Sequence, residues 1–308
     1  MKELTLFSRF LTLKPEQIEQ LKSLHVTVSK TLTPEVNAIF SDQFFIEQNV
    51  QQLPKLQYLQ VATSGTDLID LNHPNLIGVT VSGSRGIFNA SMAEYVLGQL
   101  IRFYRHFGFY QTTQAAQQWR PSRHGEELTD KKVAVIGLGQ IGQAVAKTLS
   151  FMGCQVDAFN RRKKESFYVK NVYPLSDLQE KIGGYDIVVF CLALTPQTKG
   201  LLTSSILQAL SSQAVLINIA RAEILDETAL IEVLQNKKIR HAILDTFQQE
   251  PLAKDHPFWT LDNVTVTPHI SFTSPKNLER MFDALVTNLT LFQQGERLIN
   301  QVATGESI

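Results

Sequence analysis

The chain is poor in cysteine, in excess charge and in long apolar runs. Its 308 residues include two cysteines, Cys154 and Cys191, and its 29 basic residues balance 29 acidic ones. Two isolated cysteines in apolar stretches argue against a disulfide framework or a metal site and favour buried thiols. The chain has no net charge, and nothing in its charge pattern suggests a basic surface for nucleic acid. No apolar run has membrane length and no leader pattern is present, so we expect a cytoplasmic protein without nucleic-acid or membrane partners.

Short apolar segments alternate with helical patterns along most of the chain. In the first hundred residues we predict strands near residues 4–7, 38–40, 56–61 and 79–81. Beyond residue 132 we predict strands at residues 133–137, 155–159, 186–191, 214–219, 241–245 and 264–267. Strands that are separated by helices pair in parallel. The predicted fold class is therefore α/β, with two doubly wound parallel-sheet domains.

A glycine-rich turn follows the first strand of the second series. It has the GxGxxG pattern, with Gly137, Gly139 and Gly142 as its glycines and with Gln140 and Ile141 between the last two. The first glycine permits a tight turn, the second lets a pyrophosphate approach the backbone, and the third allows the helix to pack on the strand. The helix N-terminus adds free N–H groups for the phosphates. We therefore predict a dinucleotide-binding turn.

The end of the next strand indicates which dinucleotide is bound. An acidic residue there would bind the ribose 2′-hydroxyl, but the strand ends in Asn160, Arg161 and Arg162, and Asp157 lies three residues too early. A guanidinium pairs with a 2′-phosphate, which a carboxylate would repel. We therefore predict a preference for NADP(H) over NAD(H). The alternative is that the two arginines are only a solvated run.

The two ends of the chain are predicted to share one domain. Ser91 and Glu94 have capping-box spacing and lead a long helical run to about residue 118, which crosses into the second series. Near the C-terminus, Ser274 and Pro275 are predicted to start a helix whose apolar stripe needs a partner in the first domain. We predict a substrate domain of residues 1–98 plus 275–308 and a dinucleotide-binding domain of residues 99–274.

Three ionisable residues each follow a short apolar run in the last third of the chain. They are Arg221, Glu250 and His269. The carboxyl ends of parallel strands lie at one edge of a sheet, so these side chains could converge there. The arginine would hold a carboxylate, the histidine would transfer a proton, and the glutamate would favour the imidazolium and orient it. Each residue alone is more often a surface ion pair, a cap or a solvated group.

The chain resembles the D-isomer-specific 2-hydroxyacid dehydrogenases, a family that includes glyoxylate/hydroxypyruvate reductases. The resemblance extends from about residue 56 to residue 290, in the order of the family motifs. The matching segments are residues 61–67, 85–90, 93–94, 137–142, 195–202, 218–221, 244–245, 250–251 and 267–270. It implies a Rossmann-type cofactor domain inserted in a flavodoxin-like substrate domain, with the active site in the cleft between them and a homodimer as the assembly.

The resemblance also implies roles for single residues. Arg221, Glu250 and His269 match the family's catalytic residues, and Ser64 and Gly65 match the backbone groups that bind the substrate carboxylate. Ala220 and Asp245 match cofactor-binding positions, the latter for the nicotinamide carboxamide. We therefore expect an NADP-preferring reductase that interconverts a 2-keto acid and a D-2-hydroxy acid, with His269 as general acid and base.

Two alternatives stay open from the sequence. One is a nucleotide-sensing binding protein similar to the C-terminal-binding-protein corepressors, and the other is a dehydrogenase of the formate or phosphite type. The residues do not indicate which keto acid is the substrate. Phe272, next to the histidine segment, could add a wall to the pocket. Trp119 could be an interface anchor or lie near the mouth of a site, but a place in the core is the prediction for so large an aromatic residue.

Overall fold

The computed structural model describes residues 2–9, 12–122, 124–162 and 166–302. The chain divides into two compact units, Met1–Phe88 with Ser274–Ile308, and Asn89–Thr273. The predicted boundary, between residues 98 and 99, lies within the helix Asn89–Tyr104. The first boundary lies between Phe88 and Asn89, before this helix. The reason is that this helix packs against the helix that follows the glycine turn, in the second unit.

The described residues form thirteen strands and nine α-helices. The strands are β1 (Leu4–Ser8), β2 (Val26–Ser29), β3 (Ala38–Ser41), β4 (Tyr58–Val61), β5 (Thr80–Ser82), β6 (Lys132–Ile136), β7 (Gln155–Asn160), β8 (Val172–Pro174), β9 (Ile187–Phe190), β10 (Val215–Asn218), β11 (His241–Leu244), β12 (Val264–Val266) and β13 (Gln301–Val302). The α-helices are α1 (Pro15–Ser23), α2 (Gln43–Asn49), α3 (Asn89–Tyr104), α4 (Phe107–Ala115), α5 (Gln140–Phe151), α6 (Leu178–Lys181), α7 (Ser204–Ala209), α8 (Glu227–Gln235) and α9 (Asn277–Gln294). None of these helices is long and apolar enough to cross a membrane.

The first unit contains a sheet in the order β13-β5-β4-β3-β1-β2. The five strands β1 to β5 are parallel and have the flavodoxin-like order 2-1-3-4-5, whereas β13 is antiparallel to β5. Helix α9 brings the C-terminal segment into this unit, with Leu285 and Leu289 fully buried. Its buried Asn288 donates a hydrogen bond of 2.8 Å to the Ser82 hydroxyl on β5. The helix starts at Asn277 rather than at Pro275, because the Ser274 hydroxyl accepts from the Lys276 amide in a separate turn.

The second unit contains a parallel sheet in the order β12-β11-β10-β9-β6-β7-β8. This order is that of a Rossmann-type fold, extended by β12 at one edge. Strands β7 and β9 lie on opposite sides of β6, so the chain reverses its direction of winding there. A crevice forms outside the carboxyl ends of the strands at such a reversal. The predicted α/β class with two doubly wound sheets is confirmed, and the glycine turn follows the central strand β6.

The predicted long helix from residue 91 to 118 is wrong in two respects. It is two helices, α3 and α4, because His106 between them has a left-handed backbone with φ of 56°. Ser91 is not a cap, since α3 already begins at Asn89; its hydroxyl instead donates to the carbonyl of Phe272. Trp119 does not lie in the core, because 98% of its surface is exposed.

Candidate active site

The predicted site residues of the second unit follow strands that end at one level. Ile136 pairs with Phe190, Phe190 with Asn218, Asn218 with Leu244 and Leu244 with Val266. Because neighbouring strands lie about 4.8 Å apart, this row places the segments that follow β6, β10, β11 and β12 along one edge of the sheet. The edge carries the glycine turn together with the segments of Arg221, Asp245 and His269.

The glycine turn has the shape that its sequence predicts. Gly137 has a φ of +97°, and a Cβ there would lie 2.9 Å from the amide nitrogen of Leu192. A Cβ on Gly142 would lie 1.9 Å from the carbonyl oxygen of Gly137, so only glycine lets α5 approach β6 this closely. Both glycines are therefore required by the packing of the protein itself.

Gly139 differs from these two glycines. It is the N-cap residue of α5, and a Cβ there would have no neighbouring atom within 4 Å. The open space lies where Gln140 and Ile141 begin the helix, so backbone N–H groups and the positive end of the helix dipole border it. A pyrophosphate group fits this cradle, because it needs space beside the backbone and donors that are not used within the helix.

The end of β7 is connected to the glycine turn through Asn160. Its side-chain oxygen accepts from the Leu138 amide at 3.2 Å, and its amide group donates to the Arg162 carbonyl at 2.8 Å. Asn160 thus holds the turn and the arginine segment together. The side chains of Arg161 and Arg162 are exposed.

Asp157, three residues before the end of β7, has a structural role. One carboxylate oxygen accepts from the backbone and side chain of Asn171, at 3.0 and 2.9 Å, and the other accepts from the Tyr185 hydroxyl at 3.0 Å. These bonds commit the carboxylate to the neighbouring segments. The acidic residue nearest to the end of the strand is therefore used within the protein.

Arg221 is positioned by the polar residue that ends β10. The Asn218 side chain accepts from the Ala220 amide at 3.1 Å and donates to the Arg221 carbonyl at 3.2 Å, which fixes the bend after the strand. The Arg221 guanidinium donates to the Ala220 carbonyl at 3.0 Å. Asn218 is 1% exposed. It lies in the matching segment of residues 218–221, but we predicted no role for its side chain from the sequence.

The structure brings Glu250 and His269 together. The Nδ1 atom of His269 lies 2.9 Å from Oε2 of Glu250, and Oε1 of Glu250 accepts from the Phe247 amide at 3.0 Å. Both side chains are a little more than one third exposed, so the pair can be reached from solvent. The Phe272 ring contacts the imidazole edge to face, with ring centroids 5.7 Å apart. His269 itself has a left-handed backbone with φ of 52°, a conformation that is uncommon for residues other than glycine.

Asp245 is fully buried at the end of β11 and holds the histidine segment. Its Oδ1 accepts from the Thr267 hydroxyl at 2.6 Å and from the Ile270 amide at 3.0 Å, and its Oδ2 accepts from the Ser271 amide at 2.9 Å. A carboxylate has about four acceptor positions. Three of these positions are used, and the fourth, on Oδ2, has no partner among the described residues.

The remaining two predicted site residues lie in the first unit. Ser64 and Gly65 form the turn after β4, and the Thr63 hydroxyl donates to the Gly65 carbonyl at 2.7 Å. The Ser64 hydroxyl oxygen is buried and has no hydrogen-bond partner among the described residues. In the described residues no cluster of three or more His, Cys, Asp or Glu side chains could hold a metal ion.

Comparisons with known proteins identify relatives of both units. The sequence profile described as "D-isomer specific 2-hydroxyacid dehydrogenase, NAD binding domain" matches residues 97–271. A glyoxylate reductase from Thermofilum pendens is 31% identical over 251 residues, which are 79% of this chain and 74% of the relative.

Solved structures agree with this result. A D-isomer specific 2-hydroxyacid dehydrogenase from Xanthobacter autotrophicus, in complex with NADPH and MES, is 28% identical, with a TM-score of 0.82 and coverage of 99% of both chains. An NADPH-dependent glyoxylate/hydroxypyruvate reductase from Sinorhizobium meliloti, in complex with NADP and sulfate, is 25% identical. Its TM-score is 0.80, and the match covers 98% of this chain and 99% of the other. The similarity thus extends over nearly the whole chain.

Proposed function

We propose, from the premise that this chain belongs to the D-isomer specific 2-hydroxyacid dehydrogenase family, that it reduces a 2-keto acid to a D-2-hydroxy acid and prefers NADPH to NADH. Family membership makes the chain an NAD(P)-dependent oxidoreductase that interconverts keto acids and hydroxy acids. The cofactor preference, the D configuration of the product and the roles of single residues are the proposal. The observation that carries it is the 2.9 Å contact between His269 and Glu250, at the sheet edge that also carries the glycine turn.

The cofactor would bind along this edge. Gly137, Gly139 and Gly142 shape the turn, and the backbone of Gln140 and Ile141 at the start of α5 would bind the pyrophosphate. The Ala220 backbone would border the cofactor after β10, and the remaining acceptor position of Asp245 would take a hydrogen bond from the carboxamide. When bound, the nicotinamide would supply the hydride that reduces carbon 2 of the keto acid.

The preference for NADPH is supported by the end of β7. Asn160 fixes the segment that carries Arg161 and Arg162, and both arginine side chains are exposed and available to a 2′-phosphate. Asp157, the carboxylate that would repel such a phosphate, is committed to Asn171 and Tyr185. Two solved relatives, one in complex with NADPH and one in complex with NADP, support the same preference.

Arg221 would bind the substrate carboxylate and polarise the keto oxygen. A guanidinium suits this task, because its planar donors match a carboxylate in pairs and stay charged at every working pH. Asn218 donates a hydrogen bond to the Arg221 carbonyl and so fixes the backbone position from which the side chain extends. Ser64 and Gly65 of the first unit are proposed as further carboxylate ligands, and the unpartnered Ser64 hydroxyl supports a polar ligand there.

His269 would donate the proton that the keto oxygen gains when carbon 2 is reduced, and it would accept that proton in the reverse reaction. The Glu250 carboxylate accepts from Nδ1 and so fixes the orientation of the ring, which leaves Nε2 for proton transfer. The Phe247 amide in turn fixes Glu250. This is the arrangement of an acid–base group with a carboxylate that orients it.

A homodimer is the proposed assembly, and the cytoplasm is the proposed location. The dimer is supported by exposed aromatic side chains in and after α4: Phe107 is 47% exposed, Phe109 and Tyr110 are each 38% exposed, and Trp119 is 98% exposed. A group of exposed aromatic side chains along one segment is a candidate contact surface. The location rests on composition and on two free thiols, Cys154 and Cys191.

One assay tests the proposed function. The purified protein is given glyoxylate, hydroxypyruvate, pyruvate, phenylpyruvate and a branched 2-keto acid, each with NADPH and with NADH, and every product except the achiral glycolate is resolved by chirality. We expect oxidation of NADPH with at least one keto acid, a lower kcat/KM with NADH, and a D product from each keto acid that yields a chiral hydroxy acid. Tight NADPH binding without turnover of any keto acid would refute the reductase and favour the nucleotide-sensing alternative. A higher kcat/KM with NADH would refute the cofactor preference alone.

A further inference from the structure

A hydrogen-bonded series of two partly buried hydroxyl groups ends on the fully buried carboxylate of Asp245. The hydroxyl oxygens of Tyr95, on α3, and Thr267, after β12, lie 2.6 Å apart, and the Thr267 hydroxyl lies a further 2.6 Å from Oδ1 of Asp245. All three residues belong to the second unit. Neither Tyr95 nor the side chain of Thr267 has a role in the catalytic steps proposed above.

The two hydrogen bonds of this series run in one direction, from Tyr95 through Thr267 to Asp245. The single hydroxyl proton of Thr267 is donated to Asp245, so in the contact with Tyr95 the threonine oxygen can only accept. The tyrosine therefore donates. Burial raises the pKa of Tyr95 well above its usual value, so the phenol stays protonated and remains a donor at every working pH.

The Asp245 carboxylate fixes the backbone that follows His269. The amides of Ile270 and Ser271 donate to Asp245 at 3.0 and 2.9 Å, immediately after the histidine. Thr267 approaches the same carboxylate from the near side, two residues before the histidine. Both sides of the left-handed residue are thus held by one buried group. Backbone conformations of this kind persist only where the surroundings determine them.

The Thr267 hydroxyl also decides which oxygen of Asp245 is left for a ligand. Thr267 and the Ile270 amide occupy the two acceptor positions of Oδ1, so the unused position lies on Oδ2 beside the Ser271 amide. Without the hydroxyl, a position on Oδ1 would open and the carboxylate could rotate toward a different hydrogen-bonding pattern.

We propose that Thr267 is a positioning residue of this active site, whose hydroxyl, oriented by Tyr95, fixes the Asp245 carboxylate and through it the backbone of His269. The proposal rests on the proposed function, because it assumes that His269 transfers the proton. Thr267 touches neither reacting group in this scheme. It acts only through the carboxylate and the segment that the carboxylate holds.

A matched pair of variants isolates the hydroxyl. Thr267→Val keeps the branched shape and removes the donor, whereas Thr267→Ser keeps the donor and removes a methyl group. We expect Thr267→Val to lower kcat about 10- to 100-fold, because a small displacement of a catalytic group has effects of this size. Thr267→Ser should retain most of the parent kcat. The KM for NADPH should change less than kcat in Thr267→Val, because the glycine turn and the arginines are untouched.

A third variant tests the direction of the hydrogen bonds from Tyr95 to Asp245. Tyr95→Phe removes the donor to Thr267 but leaves the threonine free to donate to Asp245, so its loss of kcat should be smaller than that of Thr267→Val. The double variant should be no worse than Thr267→Val alone, because the tyrosine acts through the threonine. Additive losses of kcat in the double variant would refute the inference that Tyr95 acts through Thr267.

Amide hydrogen exchange gives a readout that needs neither cofactor nor turnover. In the parent protein, the Ile270 and Ser271 amides should be protected, and protection should fall in Thr267→Val and be retained in Thr267→Ser, while the amides of β6 stay unchanged. Unchanged protection and unchanged kcat in Thr267→Val would overturn the proposal. If the parent reduces no keto acid, the proposed function fails, but the exchange experiment still decides whether Thr267 fixes the segment.

Discussion

Replacing Gly139 with alanine separates cofactor binding from folding. The added methyl group would meet no protein atom within 4 Å, and the backbone of Gly139, with φ of −70° and ψ of −166°, suits any residue. The methyl group would, however, occupy the space in which a pyrophosphate approaches the start of α5. We therefore expect a folded protein that binds NADPH weakly.

The expected changes in the free energy of unfolding and in the Kd for NADPH have different causes. Restricting the unfolded chain stabilises by about 0.4–1 kcal/mol, whereas losing a glycine at an N-cap costs a similar amount, so the free energy of unfolding should change by less than about 1 kcal/mol. The melting temperature should then stay within about 4 °C of the parent value. Losing one charge-assisted hydrogen bond to the pyrophosphate costs about 1.5–3 kcal/mol, which weakens the Kd for NADPH roughly 10- to 150-fold.

Calorimetric titration with NADPH and thermal unfolding of the same sample test both magnitudes. Gly142→Ala is the matched control, because its Cβ would lie 1.9 Å from the Gly137 carbonyl oxygen and must disturb the packing of α5 on β6. That variant should lose stability, and Gly139→Ala should not. A Gly139→Ala protein with the parent Kd for NADPH would refute the assignment of this turn to the pyrophosphate.

Two further predictions concern charge. Replacing both Arg161 and Arg162 with alanine should raise the KM for NADPH roughly tenfold or more and leave the KM for NADH nearly unchanged, which steady-state kinetics with both cofactors will measure. Burial lowers the pKa of His241 from 6.5 to about 4, so the unfolded chain binds this proton first and the free energy of unfolding should fall as pH drops from about 6.5 to about 4. This contribution amounts to at most about 3 kcal/mol. Urea unfolding of His241→Gln should lack that part of the decline, and an unchanged pH profile would contradict the assignment.

The central parts of the fold could be predicted from the sequence, because their signals are local. The apolar run before Gly137 and the helix after it determine a strand, a turn and a helix, and the structure has all three in place. The same holds for the strands before Arg221 and Asp245, which end at the predicted edge. Consecutive parallel strands with helices between them then restrict the topology to a doubly wound sheet.

The parts that were missed depend on contacts between residues far apart in the chain. The break at His106 has no proline to mark it, and the nearby Gly108 lies within α4. Ser91 has the spacing of a cap although it bonds to the distant Phe272. The short strand β13 pairs with β5 only because α9 brings it there.

In the site, the structure places Nδ1 of His269 2.9 Å from Oε2 of Glu250, and the catalytic roles of the two residues stay predictions. The role of Asp245 as the anchor of the histidine segment was not foreseen. Its partner Thr267 follows β12, and Tyr95, which contacts Thr267, lies on α3, so sequence spacing relates neither residue to Asp245.

The most direct test of the account is the turnover of His269→Gln, measured together with its Kd for NADPH. Glutamine keeps a polar group of similar reach but cannot act as a general acid at neutral pH. We expect a kcat about 10²- to 10⁴-fold below the parent value, with the Kd for NADPH unchanged. A variant that binds NADPH as the parent does and reduces the keto acid at the parent rate would contradict it.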